Sequence, residues 1–232
     1  MNSAVYLMDC MEGMRNTPDK FYDLAVVDPP YGIGEDGAKN HSRGKCAKPN
    51  YYTPKNWDKE TPKDDYFREL VRVSKNQIIW GGNYFFLKET PCWIVWDKLN
   101  GDNDFADCEL AWTSFESAVR KFTFRWAGML QGNMKNKENR IHPTQKPIAL
   151  YSWIFKNYLP DGGKVLDTHL GSGSSRIAAD KAGNIDFTGY EIDADYFEAH
   201  LKRWDNYKRQ AVMTFPDEKI EKINPILFGE SN

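Results

Sequence analysis

The chain has 232 residues, enough for a buried core in one large domain or two small ones. Hydrophobic residues make up 41% and aromatic residues 14%, which excludes disorder over most of the length. The formal net charge of −2 excludes a uniformly basic nucleic-acid binder, and the sequence holds no apolar run of about 18 residues that would cross a membrane. Residues 1–11 carry no basic leader before an apolar stretch, so no signal peptide is expected. Cys10, Cys46, Cys92 and Cys108 form no CxxC pair and match no zinc spacing, which points to a reduced, cytoplasmic protein without a metal.

The average charge hides an asymmetry. Residues 39–63 carry a net +5, residues 120–146 a net +6, and residues 184–232 a net −4. Two basic segments on an acidic body suit phosphate contacts on one face.

In chain order, Val5–Met8 reads as a strand, followed by a turn region and a second, buried strand at Leu24–Val27. Asp28-Pro29-Pro30-Tyr31 ends that strand, because proline cannot continue a central strand. Residues 32–62 form a long polar loop without periodicity. Asp64–Ser74 is expected as an amphipathic helix with Phe67, Leu70 and Val71 on its apolar face. Strands follow at Gln77–Trp80, Trp93–Trp96, Glu109–Thr113 and Lys121–Phe124, the last two expected as an antiparallel pair, with a short helix starting near Tyr84. Trp126–Ile141 is basic and irregular. Then come a helix at Pro147–Tyr158, a strand at Lys164–Asp167, a helix at Ser174–Ala182, a strand at Phe187–Ile192 and a helix at Asp193–Arg209 capped by Asp193. Strands alternating with helices mean an α/β fold with a mostly parallel central sheet and helices on both faces. In such sheets ligands bind beyond the carboxyl ends of the strands, so residues 28–31 and 167–173 should share one crevice.

Val165 to Ser175 runs from strand through a glycine loop into a helix. Gly171 and Gly173 let backbone approach a ligand, and the helix N-terminus at Ser174 faces the same place. About twenty residues on, Glu191 ends a strand where an acid can accept hydrogen bonds from ribose hydroxyls. Arg176 stands where a dinucleotide fingerprint would have its third glycine, and no GKS or GKT follows. A cofactor with ribose and adenine but no pyrophosphate fits, and S-adenosylmethionine is one. At the other motif, Asp28 and the Pro29 carbonyl are two acceptors suited to an exocyclic amino group, and Tyr31 is an aromatic face for a base.

Asp28-Pro29-Pro30-Tyr31 followed by Asp167-x-x-x-Gly171-x-Gly173 resembles the DNA amino-methyltransferases, which methylate adenine N6 or cytosine N4 with S-adenosylmethionine. The catalytic tetrapeptide precedes the cofactor loop, which is similar to the circularly permuted beta group of that family. The resemblance covers roughly residues 4–205 and implies a Rossmann-like methyltransferase fold. It implies that His142, Thr144, Gln145 and Lys146 line the methionine end of the cofactor, that Asp9 contacts its adenine, and that Glu191 holds its ribose, with Ile192 also in the cofactor site. Asp167, Thr168, His169, Gly171, Ser172, Gly173 and Ser174 complete the implied cofactor site. Thr168-His169 replaces the usual Pro-Phe, and His169 is expected to pack as the aromatic does.

A tetrapeptide beginning with Asp goes mainly with adenine N6 in that family, so site-specific adenine methylation by direct displacement after base flipping is the expected reaction. N4-cytosine methylation, an RNA amino-methyltransferase and a catalytically silent nucleic-acid binder are the alternatives. The expected DNA contacts are Lys39, Arg43, Lys45, Lys48, Lys55, Arg125, Lys135, Lys137 and Arg140. One methyltransferase domain is expected, with a catalytic half at about 1–115, recognition segments at about 32–62 and 116–141, a cofactor half at about 142–210 and a tail at 211–232. Expected partners are double-stranded DNA, a second copy of the chain and, in a restriction–modification pair, a separate nuclease. A membrane is not among them, and the expected source is a bacterium or a phage.

Overall fold

The computed structural model describes residues 2–35, 55, 57–101, 106–127 and 130–214. Its elements, in chain order, are β1 (Ser3–Leu7), α1 (Cys10–Arg15), β2 (Tyr22–Val27), α2 (Asp64–Val73), β3 (Ser74–Trp80), β4 (Trp93–Asp97), β5 (Cys108–Thr113), β6 (Arg120–Thr123), β7 (Trp126–Ala127), β8 (Leu130–Gln131), α3 (Ile148–Tyr158), β9 (Gly163–Asp167), α4 (Ser174–Ala182), β10 (Ile185–Glu191) and α5 (Ala194–Thr214). Eight strands form one sheet in the order β1-β10-β9-β2-β3-β5-β4-β6, while β7 and β8 form a small hairpin.

Helices cover both faces of the sheet, so the inner strands carry continuous apolar runs. Leu24 and Val26 of β2 join Ile78, Trp80 and Val165 in a core closed by Leu150, Ile154 and Phe155 of α3 and Ala178 and Ala179 of α4. Ala25 and Val27 point the other way, joining Ile79 and Leu166 under Met14 of α1 and Tyr66, Leu70 and Val73 of α2. The expected α/β sandwich is therefore the one observed.

The elements depart from expectation in five places, one of them the β7–β8 hairpin inside the stretch expected to be irregular. The turn region after β1 is the helix α1, whose N-terminus is capped by the Asp9 carboxylate accepting the Met11 N–H at 2.8 Å. On α2 the buried stripe is Tyr66, Leu70 and Val73, spaced i, i+4, i+7, and Val71 lies 45% exposed because it sits about 100° round the helix from Leu70. Near Tyr84 there is a single 3-10 turn, Gly82–Tyr84, that extends at Phe85 instead of continuing as a helix. Strands β5 and β6 are not neighbours: β4 lies between them, antiparallel to β5 (Trp93 opposite Trp112) and parallel to β6 (Ile94 opposite Arg120). Arg120 and Lys121 are exposed on β6 at the end of the sheet, where charge discourages edge-to-edge pairing.

At the centre, β2 and β9 run parallel and adjacent, with Leu24 opposite Val165 and Ala25 opposite Leu166. From β2 the chain passes through α2 to β3 on one side; from β9 it passes through α4 to β10 on the other. The connections diverge here, so a crevice opens beyond the carboxyl ends of these two strands. Residues 28–31 and 167–173 both end at it.

Candidate active site

Asp28 leaves β2 as its first non-strand residue, with 17% of its side chain exposed. Its Oδ1 accepts the Tyr31 hydroxyl at 2.5 Å and its Oδ2 accepts the Lys146 ammonium at 2.5 Å. Lys146, with only 3% of its side chain exposed, also reaches Glu109 Oε2 on β5 at 3.1 Å and donates to the Tyr31 hydroxyl at 3.2 Å. Glu109 is paired on its other side with Lys98. Burial pushes the Asp28 carboxyl up from its ordinary value, against the pull of Lys146. The two lysines win at Glu109, whose carboxyl is lowered to about 2 although it is buried.

Tyr31 packs against the segment that follows β3. One neighbour is Tyr84, stacked on it at 5.0 Å with 13° between the rings and itself 45% exposed. The other is Gly81, whose φ of +69° and missing Cβ make room for the ring. A Cβ built there would lie 2.2 Å from Tyr31 Cε1. Gly81→Ala is therefore expected to displace the Tyr31 ring and to lower kcat about tenfold or more, since small misplacements at a reacting centre are costly. Thermal melting should also fall, from the left-handed strain of about 1–2 kcal/mol. Wild-type turnover in that variant would show that the Tyr31 position is not critical.

Asp58 was not among the expected site residues. It is 2% exposed, and its Oδ1 accepts the backbone N–H of Tyr31 (2.7 Å) and of Gly32 (2.9 Å), while its Oδ2 accepts that of Glu35 (2.7 Å). It clamps the loop that follows the two prolines. Its only trace in the sequence is that it is one of two acids, with Glu60, in the basic stretch 39–63.

On the cofactor side, Glu191 is buried, and each carboxylate oxygen takes one backbone N–H: Oε2 from Gly171 (2.8 Å) and Oε1 from Asp193 (2.9 Å). A carboxylate oxygen has more than one lone pair, so both can still accept hydroxyl donors. Asp193 caps α5 as expected, accepting the N–H of Asp195 and of Tyr196. Asp9 is exposed beside β1, and Ile192 offers a 68% exposed apolar face next to Glu191. Gly171, at φ +49°, would bring an added Cβ into ordinary contact with the His142 ring at 3.6 Å, so this side of the turn is uncrowded. Gly173 also admits helix α5: a Cβ there would lie 2.2 Å from His200 Cδ2. An acidic set around an open glycine turn fits a ribose-bearing ligand with a positive charge.

Several of the expected cofactor residues also have partners within the protein. Lys146 sits on Asp28 and Glu109, because these two buried carboxylates are the strongest partners within its reach. Gln145 is buried and braces the chain, its Oε1 accepting the Ile141 N–H and its carbonyl accepting the Trp126 indole N–H. Ser172 and Ser174 turn inward: Arg203 donates to the Ser172 carbonyl and the Ser174 hydroxyl, and pairs with Glu138 at 2.7 Å. His142 lies between Trp57 (5.3 Å) and Tyr196 (4.2 Å), and its Nδ1 meets the Thr144 hydroxyl at 3.1 Å. Burial and Lys146 lower its pKa to about 3, so the ring is neutral near pH 7. His169 packs edge-on to Tyr66 at 5.5 Å, and its Nδ1 meets the Thr168 hydroxyl at 2.9 Å.

Asp167 is buried, accepting the Ser175 hydroxyl at 2.6 Å and the His169 N–H at 3.0 Å. Burial nonetheless raises its pKa from 3.8 to about 7. A carboxyl raised in the folded state favours folding below its unfolded value and loses that contribution as pH climbs through the folded value. Asp167→Asn is thus expected to gain stability relative to wild type between about pH 4 and pH 7 and to hold that gain above. Paired thermal melts from pH 5 to 8.5 check this, and a constant difference would contradict it.

Of the expected DNA contacts, Arg125, Lys135 and Lys137 are exposed, and Arg140 lies over the Trp126 ring at 4.5 Å. Lys55 is paired with Asp193 (2.8 Å) and Asp195 (2.6 Å). Lys39, Arg43, Lys45 and Lys48 lie outside the described residues.

A family model described as DNA methylase, covering N6 and N4 enzymes, matches residues 79–202, more than half of the chain. The chain belongs to this DNA methylase family. S-adenosylmethionine is the family's methyl donor, and the acids and open glycine turn described above fit it. Type II methyltransferase M.HinfI of Haemophilus influenzae is 24% identical over 84% of this chain. Type II methyltransferase M.HpaI of Haemophilus parainfluenzae is 24% identical over 89% of it. The chain spans 66% of the first relative and 75% of the second. The crystal structure of the M1.HpyAVI–SAM complex superposes with a TM-score of 0.52 at 20% identity, covering 86% of this chain and 98% of that one. The PvuII cytosine-N4-specific DNA methyltransferase superposes with a TM-score of 0.53 at 14% identity, covering 90% and 92%. At these identities the likeness is one of fold. Among the described residues no helix is long and apolar enough to cross a membrane, and no cluster of His, Cys, Asp and Glu could hold a metal.

Proposed function

We propose that this methylase transfers a methyl group from S-adenosylmethionine to the N6 amino group of adenine in double-stranded DNA. The observation that carries the reading is the placement of Asp28, at the switch point of the sheet, on the strand next to the glycine loop. When bound, S-adenosylmethionine supplies a methyl group on a positively charged sulfur, which passes to the amine nitrogen as the S–C bond breaks. Asp28 accepts one amino N–H and the Pro29 carbonyl accepts the other, which turns the nitrogen lone pair out of the ring system. The proton shed afterwards leaves through Asp28 or to water. Tyr31 and the exposed Tyr84 stacked on it form the aromatic wall for the base. Glu191, Asp9 and Ile192 hold the nucleoside, and Gly171 and Thr168 line the turn beneath it. His142 and Thr144 flank the methionine end.

The target amine is inside a paired, stacked duplex, so the base is extruded at a cost of a few kcal/mol. Arg125, Lys135, Lys137 and Arg140, which flank the short β7–β8 hairpin along the chain, contact the DNA backbone. The acid at the head of the tetrapeptide favours adenine. Cytosine N4 is the second reading, favoured by the fold shared with the PvuII enzyme. On its likeness to two bacterial type II methyltransferases we place the enzyme in a bacterial cytoplasm, acting alone or with a separate nuclease.

Labelled S-adenosylmethionine, unmethylated genomic DNA and nucleoside mass analysis decide the matter. N6-methyladenine supports the proposal. N4-methylcytosine retains the mechanism and replaces the base. Transfer to RNA alone, or no transfer, overturns it.

A further inference from the structure

The interior beside Asp28 holds a line of alternating charges, of which the methyl transfer described above uses only Asp28. Asp28, Lys146, Glu109 and Lys98 follow one another from the crevice towards the sheet edge, and each contacts the next. They come from four separate places: the end of β2, the segment before α3, strand β5 and the residue after β4. Lys146 also lies 5.4 Å from the Trp80 ring and 5.7 Å from the Tyr31 ring, so its ammonium is enclosed by aromatics and carboxylates. Enclosing an ammonium costs several kcal/mol unless its partners are ionised and close. Such an arrangement is more than a support for the backbone.

We propose that Lys146 is a positioning residue that keeps Asp28 ionised and oriented for the target amine, and that Glu109 sets how strongly it does so. An ionised Asp28 serves the amine best, because a protonated carboxyl keeps only part of its acceptor capacity and loses the negative charge that stabilises the attacking nitrogen. One oxygen of Asp28 is pinned by Lys146, and the other, now held by the Tyr31 hydroxyl, is the one that can turn to the substrate. Glu109 draws the same ammonium away, so the Asp28 carboxylate keeps enough negative charge to stabilise a nitrogen that turns positive during transfer. Lys98 neutralises Glu109 on its far side.

The groups facing Asp28 are Tyr31 from its own loop, Lys146, Glu109 from β5, Tyr151 from α3, Tyr66 from α2 and Asp167 from β9. Two substitutions among them act in opposite directions. Lys146→Gln removes the cation, so Asp28 takes up its proton at a higher pH. Glu109→Gln removes a like charge, so Asp28 takes it up at a lower pH.

The test is a pair of pH titrations on the full chain, saturated with S-adenosylmethionine for the kinetics. The acidic limb of kcat is expected to move up by about one pH unit or more in Lys146→Gln and to move down in Glu109→Gln. Lys146→Arg, which keeps the charge, should return the limb close to that of the wild type. The Asp28 carboxyl carbon, followed by carbon-13 NMR without DNA, should show its midpoint moving in the same two directions. Thermal melts confirm that the variants are folded. Midpoints that stay where they are in folded variants overturn the proposal. It rests on Asp28 as the amine acceptor, and the two failures are distinguishable: absence of methyl transfer by the wild type sinks that reading, while the NMR titration judges Lys146 and Glu109 on its own.

Discussion

Asp28→Asn is expected to reduce methyl transfer about a thousandfold, equivalent to about 4 kcal/mol of transition-state stabilisation. The asparagine keeps the shape and one acceptor oxygen. It loses the negative charge at the point where the attacking nitrogen becomes positive, and it opposes an NH2 group to one of two donors, Tyr31 Oη or Lys146 Nζ, that now approach to 2.5 Å. Lys146 still has Glu109 at 3.1 Å, so its charge stays paired and the fold should hold. Binding of S-adenosylmethionine, measured by calorimetry, should change little, because the cofactor acids lie on β10 and after β1 rather than on β2. Retention of a tenth or more of the wild-type rate would remove Asp28 from the reaction.

The second large effect is expected at Asp58. Three backbone N–H groups depend on its carboxylate, two of them in the residues just after the prolines. Charge-assisted hydrogen bonds of this kind are worth about 1.5–3 kcal/mol each. Water can reach Gly32, which is exposed, so part of the loss is recovered in Asp58→Ala. We expect a net loss of about 3 kcal/mol in stability and about a hundredfold loss in kcat, as the loop carrying Tyr31 relaxes. Asp58→Asn separates the two bonds at Oδ1 from the one at Oδ2. If its amide oxygen takes the Oδ1 place, it still accepts from Tyr31 and Gly32 but turns an NH2 group towards the Glu35 N–H. That variant should lie between alanine and wild type in both urea melts and turnover. An alanine variant with undiminished kcat would mean that the prolines alone hold the loop.

Much of the fold can be read along the chain, because its signals are local. The apolar run Leu24–Val27, the proline pair that stops it and the glycine loop after Val165–Asp167 each act within a few residues. Alternation of strand and helix then specifies a parallel sheet and a crevice at the strand ends. Helix α1 escaped notice because it is six residues long, too short for a periodic pattern, and its cap is a single Asp9. The pairing of β6 with β4 escaped for another reason: register and neighbour choice are settled by distant strands competing for one edge, not by the segment itself.

The candidate site divides in the same way. Asp28, Tyr31, Gly171 and Glu191 are legible because the residues on either side, prolines, glycines and a strand end, say what kind of backbone carries them. The sequence therefore determined the fold class, the family and the two ends of the crevice. Only the tertiary structure decided which charges meet there. Asp58 stands 27 residues from Tyr31, Lys146 stands 118 from Asp28, and Glu109 comes from a third strand, yet burial brings them into contact. Charges separated by that much chain have no local pattern to betray them. They find one another because the folded interior excludes water and leaves each buried charge no better partner than the opposite one beside it.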